Sequence, residues 1–328
     1  MSESLAQIIP DETLQSFDLL RADCALIHLP NYAVVELRGE DRKGWLQGQA
    51  TNDLKQLDLG ASSSFCLCQP TGQIIAVCDI WGLKDRFVLI CEAASKDALL
   101  QRVDQMVILE DVEARDLTDQ VRLLSVQGPN ATKELGELLP LPTLDGIDSR
   151  LGDSEVTVLR SNRTGLGGWD LLIPAEDQVS AQLVEKRFGQ ITDEAFEIAR
   201  LEAGVPRLGK DIDAKTMPPE LGPAFEARHV NYRKGCYTGQ EVLMRIHSRG
   251  HTNRTWVGLS SERKLTEGSS VQDQKGKDIG RVTSACFSPD YGFIGGAMLR
   301  NEAALEGEEV SVDGAAAIVR QMPILRFD

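Results

Sequence analysis

Residues 233–241 read Arg-Lys-Gly-Cys-Tyr-Thr-Gly-Gln-Glu, a cysteine set between cationic neighbours and two glycines. A thiol serves as nucleophile or metal ligand only as thiolate, and adjacent positive charge lowers its pKa. Arg233 and Lys234 supply that charge from the residues just before Cys236. Gly235 and Gly239 allow backbone angles and close approaches that other residues resist. The pattern predicts an exposed, activated thiol in a tight loop, with Cys236 as the functional group and Lys234 as its activator.

The flanking sequence is basic. Residues 228–254 hold six Lys/Arg side chains (Arg228, Arg233, Lys234, Arg245, Arg249, Arg254) against one acid, Glu241. Three of the four histidines, His229, His247 and His251, lie there too. The whole chain carries 50 acidic and 35 basic side chains, a formal charge of −15. An island of opposite sign in such a chain suggests an anion-binding surface. A solvated basic face has the same composition; coincidence with Cys236 favours the functional reading.

Other candidate chemistry is weaker. Cys66, Cys68, Cys78 and Cys91 fall on expected strands, but none forms the Cys-x-x-Cys loop usual for zinc or iron–sulphur sites. They read as small core residues. His247 and His251 lack an intervening metalloprotease glutamate, and residues 248–250 read as a loop. Nearby arginines repel a cation, so no resident metal is expected. Residues 163–168, Arg-Thr-Gly-Leu-Gly-Gly, precede a strand where a dinucleotide fingerprint needs a helix. Nucleophile-elbow and Walker loops are absent.

These groups must be held by a body of 328 residues, enough for two or three domains. Hydrophobic content of 42% and charged content of 26% suit a soluble globular protein. Net negative charge argues against direct nucleic-acid binding. The first residues show no secretory pattern, no apolar run is long enough for a membrane span, and seven cysteines suit a reducing compartment; a cytoplasmic protein is expected. A polar helix leads the chain. Alternation predicts a strand over 33–37 and three strands over 62–91, the latter joined by turns at 69–72 and 82–85. A helix follows to about residue 108, then strands near 121–126, 155–160 and 169–173 with helices between. Another helix runs from Asp193 to Gly204. Residues 204–240 are rich in Gly and Pro and read as a functional loop region. From about 255 only short strands follow. The expected class is α+β, with a body over 1–250 and a small β-barrel over 251–328.

Lys234–Glu241 resembles the signature of the YgfZ-type folate-binding proteins, relatives of the glycine-cleavage T protein (aminomethyltransferase) and of mitochondrial iron–sulphur assembly factors. Residues 45–53 (Trp-Leu-Gln-Gly-Gln-Ala-Thr-Asn-Asp), 163–165 and 200–211 look like further shared blocks. The resemblance implies a body of two interleaved α+β subdomains and a C-terminal barrel, with tetrahydrofolate in a central opening. It implies support for iron–sulphur enzymes, among them a tRNA methylthiotransferase, and hence for tRNA modification. Cys236 would then exchange sulphur or touch iron or a cluster transiently. The expected folate contacts are Tyr32 and Phe196 stacking on the pterin, Arg245, Arg249 and Arg254 meeting the glutamate tail, and Tyr237. Arg200 and Glu202 complete that set, pairing with each other or with loop backbone to fix the loop's approach.

The chain departs from the T protein at two places. Ala76 and Val77 stand where it has an acidic pair, and neither can orient an amine or shuttle a proton. Trp169 replaces a glutamate that grips the pterin there, and reads as core before stacking platform. Aminomethyl transfer is therefore not expected. A folate-dependent one-carbon transferase and a non-catalytic folate-sensing regulator are the alternatives.

Overall fold

The computed structural model describes residues 8–325; the sequence reading of the first seven residues lies outside them. After a helix, Asp11–Ala22, the chain forms β1 (Ala25–His28), β2 (Tyr32–Arg38), β3 (Ser62–Cys68), β4 (Ile74–Gly82), β5 (Phe87–Glu92) and β6 (Glu113–Asp116). It continues with β7 (Val121–Gln127), β8 (Gly146–Leu151), β9 (Ser154–Ser161) and β10 (Gly168–Pro174). These make two five-stranded antiparallel sheets, β3-β4-β5-β2-β6 and β1-β7-β10-β9-β8. Because β1 pairs with β7 and not with β2, the first strand of the chain belongs to the second sheet, and the two halves interleave. β11 (Arg254–Ser261), β12 (Ser270–Gln272), β13 (Asp278–Ser288), β14 (Gly292–Arg300), β15 (Glu309–Val312) and β16 (Ala315–Arg320) close into a barrel. The α+β class with a C-terminal barrel is therefore present.

Strand alternation sets which residues meet. In β4, Ile74, Ala76, Cys78 and Ile80 are buried, while Ile75, Val77 and Asp79 point the other way and are only part-buried. Cores lie between the two sheets (Phe17, Leu20, Val34, Ile90, Leu172, Ile198), under the helix Lys96–Met106 (Leu37, Leu67, Leu89, Leu99), and inside the barrel (Val257, Leu259, Val282, Val319). The helix Asp193–Glu202 begins at Thr192, whose hydroxyl accepts from the Ala195 N–H, with Asp193 and Glu194 in its first turn.

Two helices differ from expectation. Pro223–His229 forms inside the stretch read as loop, because Pro223 sits in a first turn where no N–H is needed. Gln240–Arg249 continues through the residues read as a loop before Gly250, burying Leu243 and leaving Glu241, Arg245 and His247 exposed. Among the described residues no helix is long and apolar enough to cross a membrane.

Candidate functional site

A cavity of about 230 Å³ opens where the two sheets, the helix Pro223–His229 and the C-terminal segment meet. Its wall on the first sheet comes from Val77, Asp79, Ile90 and Glu92; Tyr32 adds the start of β2, and Asn162 and Arg163 the end of β9. Pro206, Phe225, Arg228 and His229 close the far side. A second polar hollow of about 410 Å³, lined by Ser62, Asp145 and Arg160, shares Asp79, Asn162 and Arg228 with it. A third hollow, about 530 Å³, is a seam between the sheets whose Arg38, Arg86, Glu36 and Asp148 are already paired.

Asp79 is the charged centre. Its Oδ1 accepts from Ser64 Oγ at 2.6 Å and Arg228 Nη2 at 3.0 Å, and among the described residues no hydrogen bond reaches Oδ2. Burial would raise its pKa, but Arg228, Arg163 and the Ser64 hydroxyl together hold it below the usual carboxylate range. Glu92 goes the other way: burial raises it against the Leu208 N–H and Arg207. Arg163 is buried on Asp170, with Nε 3.1 Å from either carboxylate oxygen and its guanidinium carbon 4.7 Å from the Tyr32 ring centre. His229 stacks on Phe225 at 4.0 Å, and its Nδ1–H donates to the Phe225 carbonyl at 2.8 Å. Burial lowers its pKa to about 4, so it is neutral. Next to Arg163, the buried Thr164 hydroxyl has no hydrogen-bond partner among the described residues.

The Cys236 loop leaves this wall directly. Thr51 Oγ1 donates to the His229 carbonyl at 2.7 Å, and the Asn231 N–H donates to the Thr51 carbonyl at 3.0 Å. Lys234 is buried, and its ammonium donates to the carbonyls of Gln47, Ala50 and Asn52 at 2.7, 2.5 and 2.8 Å. Burial pulls its pKa down to about 8, while Asp53 opposes that. Cys236 is exposed. Among the described residues no hydrogen bond joins Lys234 to the thiol, so the ammonium is seated as a strut under the loop. Two blocks far apart in sequence, 45–53 and 234–241, thus meet through the Lys234 ammonium and through Thr238, whose N–H donates to the Gly48 carbonyl at 3.2 Å and whose hydroxyl donates to Gln49 Oε1 at 3.3 Å.

Of the expected folate contacts, Tyr32 lines the cavity. Phe196 is half-buried against the intersheet core, and Tyr237 packs with Cys66, Cys68 and Leu243. Arg200 does not pair with Glu202 but does meet loop backbone, its Nη1 donating to the Val205 carbonyl at 3.1 Å. It is otherwise buried on Glu197, Asp211 (2.7 Å) and the Ser284 hydroxyl (2.7 Å). Glu202 instead accepts from Arg21 at 2.8 Å and Ser288 at 2.6 Å, and burial raises its pKa to about 7. Arg245 is exposed beside Glu241, and Arg254 is engaged by Glu220 and Asp213. Arg249 ends its helix, and its side chain lies outside what the structure describes. Two cations of the basic island, Arg228 and Arg254, are thus taken up by acids drawn from elsewhere in the chain. Trp169 is fully buried in the second sheet's core.

Asp79, Glu92, Asn162, Arg228 and His229 were not legible as a set. One signal was available: Asp79 is the single charge in the apolar strand Ile74–Gly82, and an acid costs too much there without partners. The four sheet cysteines divide by face, Cys66 and Cys68 with Tyr237, Cys78 and Cys91 with Leu89. Among the described residues no group of three or more His, Cys, Asp or Glu is arranged to hold a metal ion.

Residues 6–228 match the GCVT N-terminal domain family and residues 254–323 the glycine cleavage T-protein C-terminal barrel domain. The chain is 28% identical to the aminomethyltransferase of Rubrobacter xylanophilus, covering 84% of this chain and 75% of that one. It is 25% identical to the aminomethyltransferase of Bacillus subtilis, over 92% and 87% of the two chains. A putative chloroplastic transferase of Arabidopsis thaliana is 24% identical over 96% of this chain and 74% of its own. The crystal structure of the glycine cleavage system aminomethyltransferase T from Bartonella henselae superposes with a TM-score of 0.86 at 23% identity, covering 97% and 91%, which is a likeness of fold.

Proposed function

Since this chain belongs to the glycine-cleavage T-protein family, whose members bind tetrahydrofolate, we propose that it is a folate-binding accessory protein of the YgfZ type. In this reading it supports the assembly or repair of iron–sulphur enzymes, and through them tRNA methylthiolation, using Cys236. The observation that carries it is the exposed thiol of Cys236 on a loop tied to the cavity wall through Lys234 and Thr51. A redox or sulphur-exchange partner reaches an exposed thiol without entering the folate site.

The cavity residues suit a reduced pterin. Asp79 offers one unbonded carboxylate oxygen, which can accept an N–H from the aminopyrimidinone edge of a pterin as a charge-assisted hydrogen bond. Tyr32, Val77, Ile90 and Phe225 supply apolar walls for the ring. When bound, tetrahydrofolate would supply either a one-carbon unit or a binding signal. Asp79 and Arg228 would orient it, and Tyr32 and Phe225 would keep water from its ring.

Asp79 also favours a second reading, a folate-dependent one-carbon transferase. It lies two residues beyond Val77 on the same strand face, so the cavity keeps an acid although Ala76 and Val77 are neutral. Cys236→Ser separates the two. The accessory reading expects loss of methylthiolated tRNA in cells carrying the variant, with stability unchanged to within about 0.5 kcal/mol. Full tRNA methylthiolation in cells carrying a stable Cys236→Ser protein would remove the thiol from the account and leave the transferase reading.

A further inference from the structure

The first sheet carries a feature that the folate reading does not use. Cys78 on β4 and Cys91 on β5 are direct partners across two antiparallel strands. Both face the core with Ala76, Ile80 and Leu89, and both are buried, at 0% and 2% exposure. Directly opposed residues in an antiparallel pair have Cα atoms about 4.5 or 5.5 Å apart, depending on the rung type. A disulfide spans Cα separations of roughly 4.4–6.8 Å. The register therefore suits a bridge with little backbone movement. The neighbouring Cys78 thiol and Ser95, working against burial, lower the Cys91 pKa, while Cys91 and burial raise that of Cys78. One thiol is thus biased toward thiolate and its neighbour kept protonated, the arrangement of an attacking and a resolving cysteine.

We propose that Cys78 and Cys91 are an oxidisable dithiol, a modification site whose disulfide form retunes the adjacent cavity. The oxidant is hydrogen peroxide, a small molecule that reaches the pair from the cavity, whose lining includes Cys91. The Cys91 thiolate attacks one peroxide oxygen, the O–O bond breaks, and Cys91 becomes a sulfenic acid as hydroxide leaves and takes up a proton. The Cys78 sulphur then attacks the sulfenic sulphur, the S–O bond breaks, and the departing hydroxide carries off the Cys78 proton as water. Two thiols and one peroxide give one disulfide and two waters.

The coupling to the cavity follows from the strands. Val77 and Asp79 flank Cys78, Ile90 and Glu92 flank Cys91, and all four line the cavity from the opposite face. Asp79 stands directly across from Ile90. A disulfide draws the paired Cβ atoms to about 3.8 Å, from about 4.5–5.5 Å in an open pair. Narrowing the sheet on the core face splays those four side chains on the other. This coupling rests on the folate reading; the cross-link itself does not.

The test uses the full chain with Cys236→Ser, which removes the exposed thiol. The protein is treated with hydrogen peroxide, freed of it with catalase, alkylated, and mapped as non-reduced peptides. A Cys78–Cys91 linked peptide, lighter than the dithiol pair by two hydrogens and split by dithiothreitol, is expected. Peroxide-treated protein should bind 5-formyltetrahydrofolate about tenfold more weakly than reduced protein, the value of one lost hydrogen bond. Adding Cys78→Ala should leave that affinity insensitive to peroxide. Absence of the linked peptide, or linkage through Cys66 or Cys68 instead, overturns the site. Linkage with unchanged affinity overturns the coupling. If the reduced protein binds no folate, the functional reading fails while the peptide map still decides the dithiol.

Discussion

At His229, burial and one hydrogen bond settle protonation. The ring stacks on Phe225 and gives its Nδ1 proton to the Phe225 carbonyl, so a second proton would sit in a desolvated site beside Arg228. Its folded pKa of about 4 lies below the ordinary 6.5. Between those values the unfolded chain takes up a proton that the folded chain refuses. The stability due to neutral His229 is present above pH 6.5 and is lost as pH falls through about 4. This group alone should lower stability by about 2 kcal/mol between pH 7 and pH 5. Urea unfolding at the two pH values should show that drop in the native protein and a smaller one in His229→Asn. Equal drops would mean that His229 titrates as if exposed. Cys236 is the counterpart: its exposure was legible from flanking glycines and charges. The strut role of Lys234 was not, because its three carbonyl partners lie nearly two hundred residues away.

Among the elements, the helix Gln240–Arg249 sets how the Cys236 loop ends. Gly239 precedes it with φ +87°, and a Cβ there would fall 2.7 Å from the Gln69 carbonyl oxygen. Gly239→Ala should therefore destabilise the protein by about 1–3 kcal/mol. It should also speed alkylation of Cys236 as the loop lifts. A variant as stable as the parent would show that the loop does not press on the 69–72 turn. Strands β2 to β5 of the first sheet and their turns were readable because alternation and Pro-Thr-Gly report local geometry, while the short edge strand β6 was not. The helix Pro223–His229 was not, since prolines that end most helices here start one. The basic island misled for a related reason. Charge counted along the chain ignores Asp79, Glu220 and Asp213, which fold back onto Arg228 and Arg254.

For the whole molecule, a buried polar seam holds the barrel to the body. Asp211 accepts from Arg200, from the Arg207 N–H at 3.0 Å, and from the hydroxyls of Thr283 (2.5 Å) and Ser284 (2.8 Å) on β13. Glu202 reaches Ser288 on the same strand. Removing one partner of a buried pair leaves the other charge stranded. Asp211→Ala should cost about 3 kcal/mol, read in denaturation followed through Trp256, whose indole N–H donates to Thr283. A loss under about 0.5 kcal/mol, the range of ordinary surface changes, would mean that apolar contacts alone dock the barrel. The fold class was legible from strand spacing together with shared blocks. The cavity was legible only in part, because it is assembled from β2, β4, β5, the end of β9, a short helix and the C-terminal segment. No local pattern in the sequence brings those together.

Titration of the purified protein with 5-formyltetrahydrofolate, alongside Asp79→Asn and Arg245→Ala, bears most directly on where folate binds. The cavity account predicts saturable binding, weakened by about 10- to 100-fold in Asp79→Asn, as expected for losing a charged hydrogen bond, and unchanged in Arg245→Ala. Weakening by Arg245→Ala with Asp79→Asn unaffected, or no saturable binding at all, would contradict it.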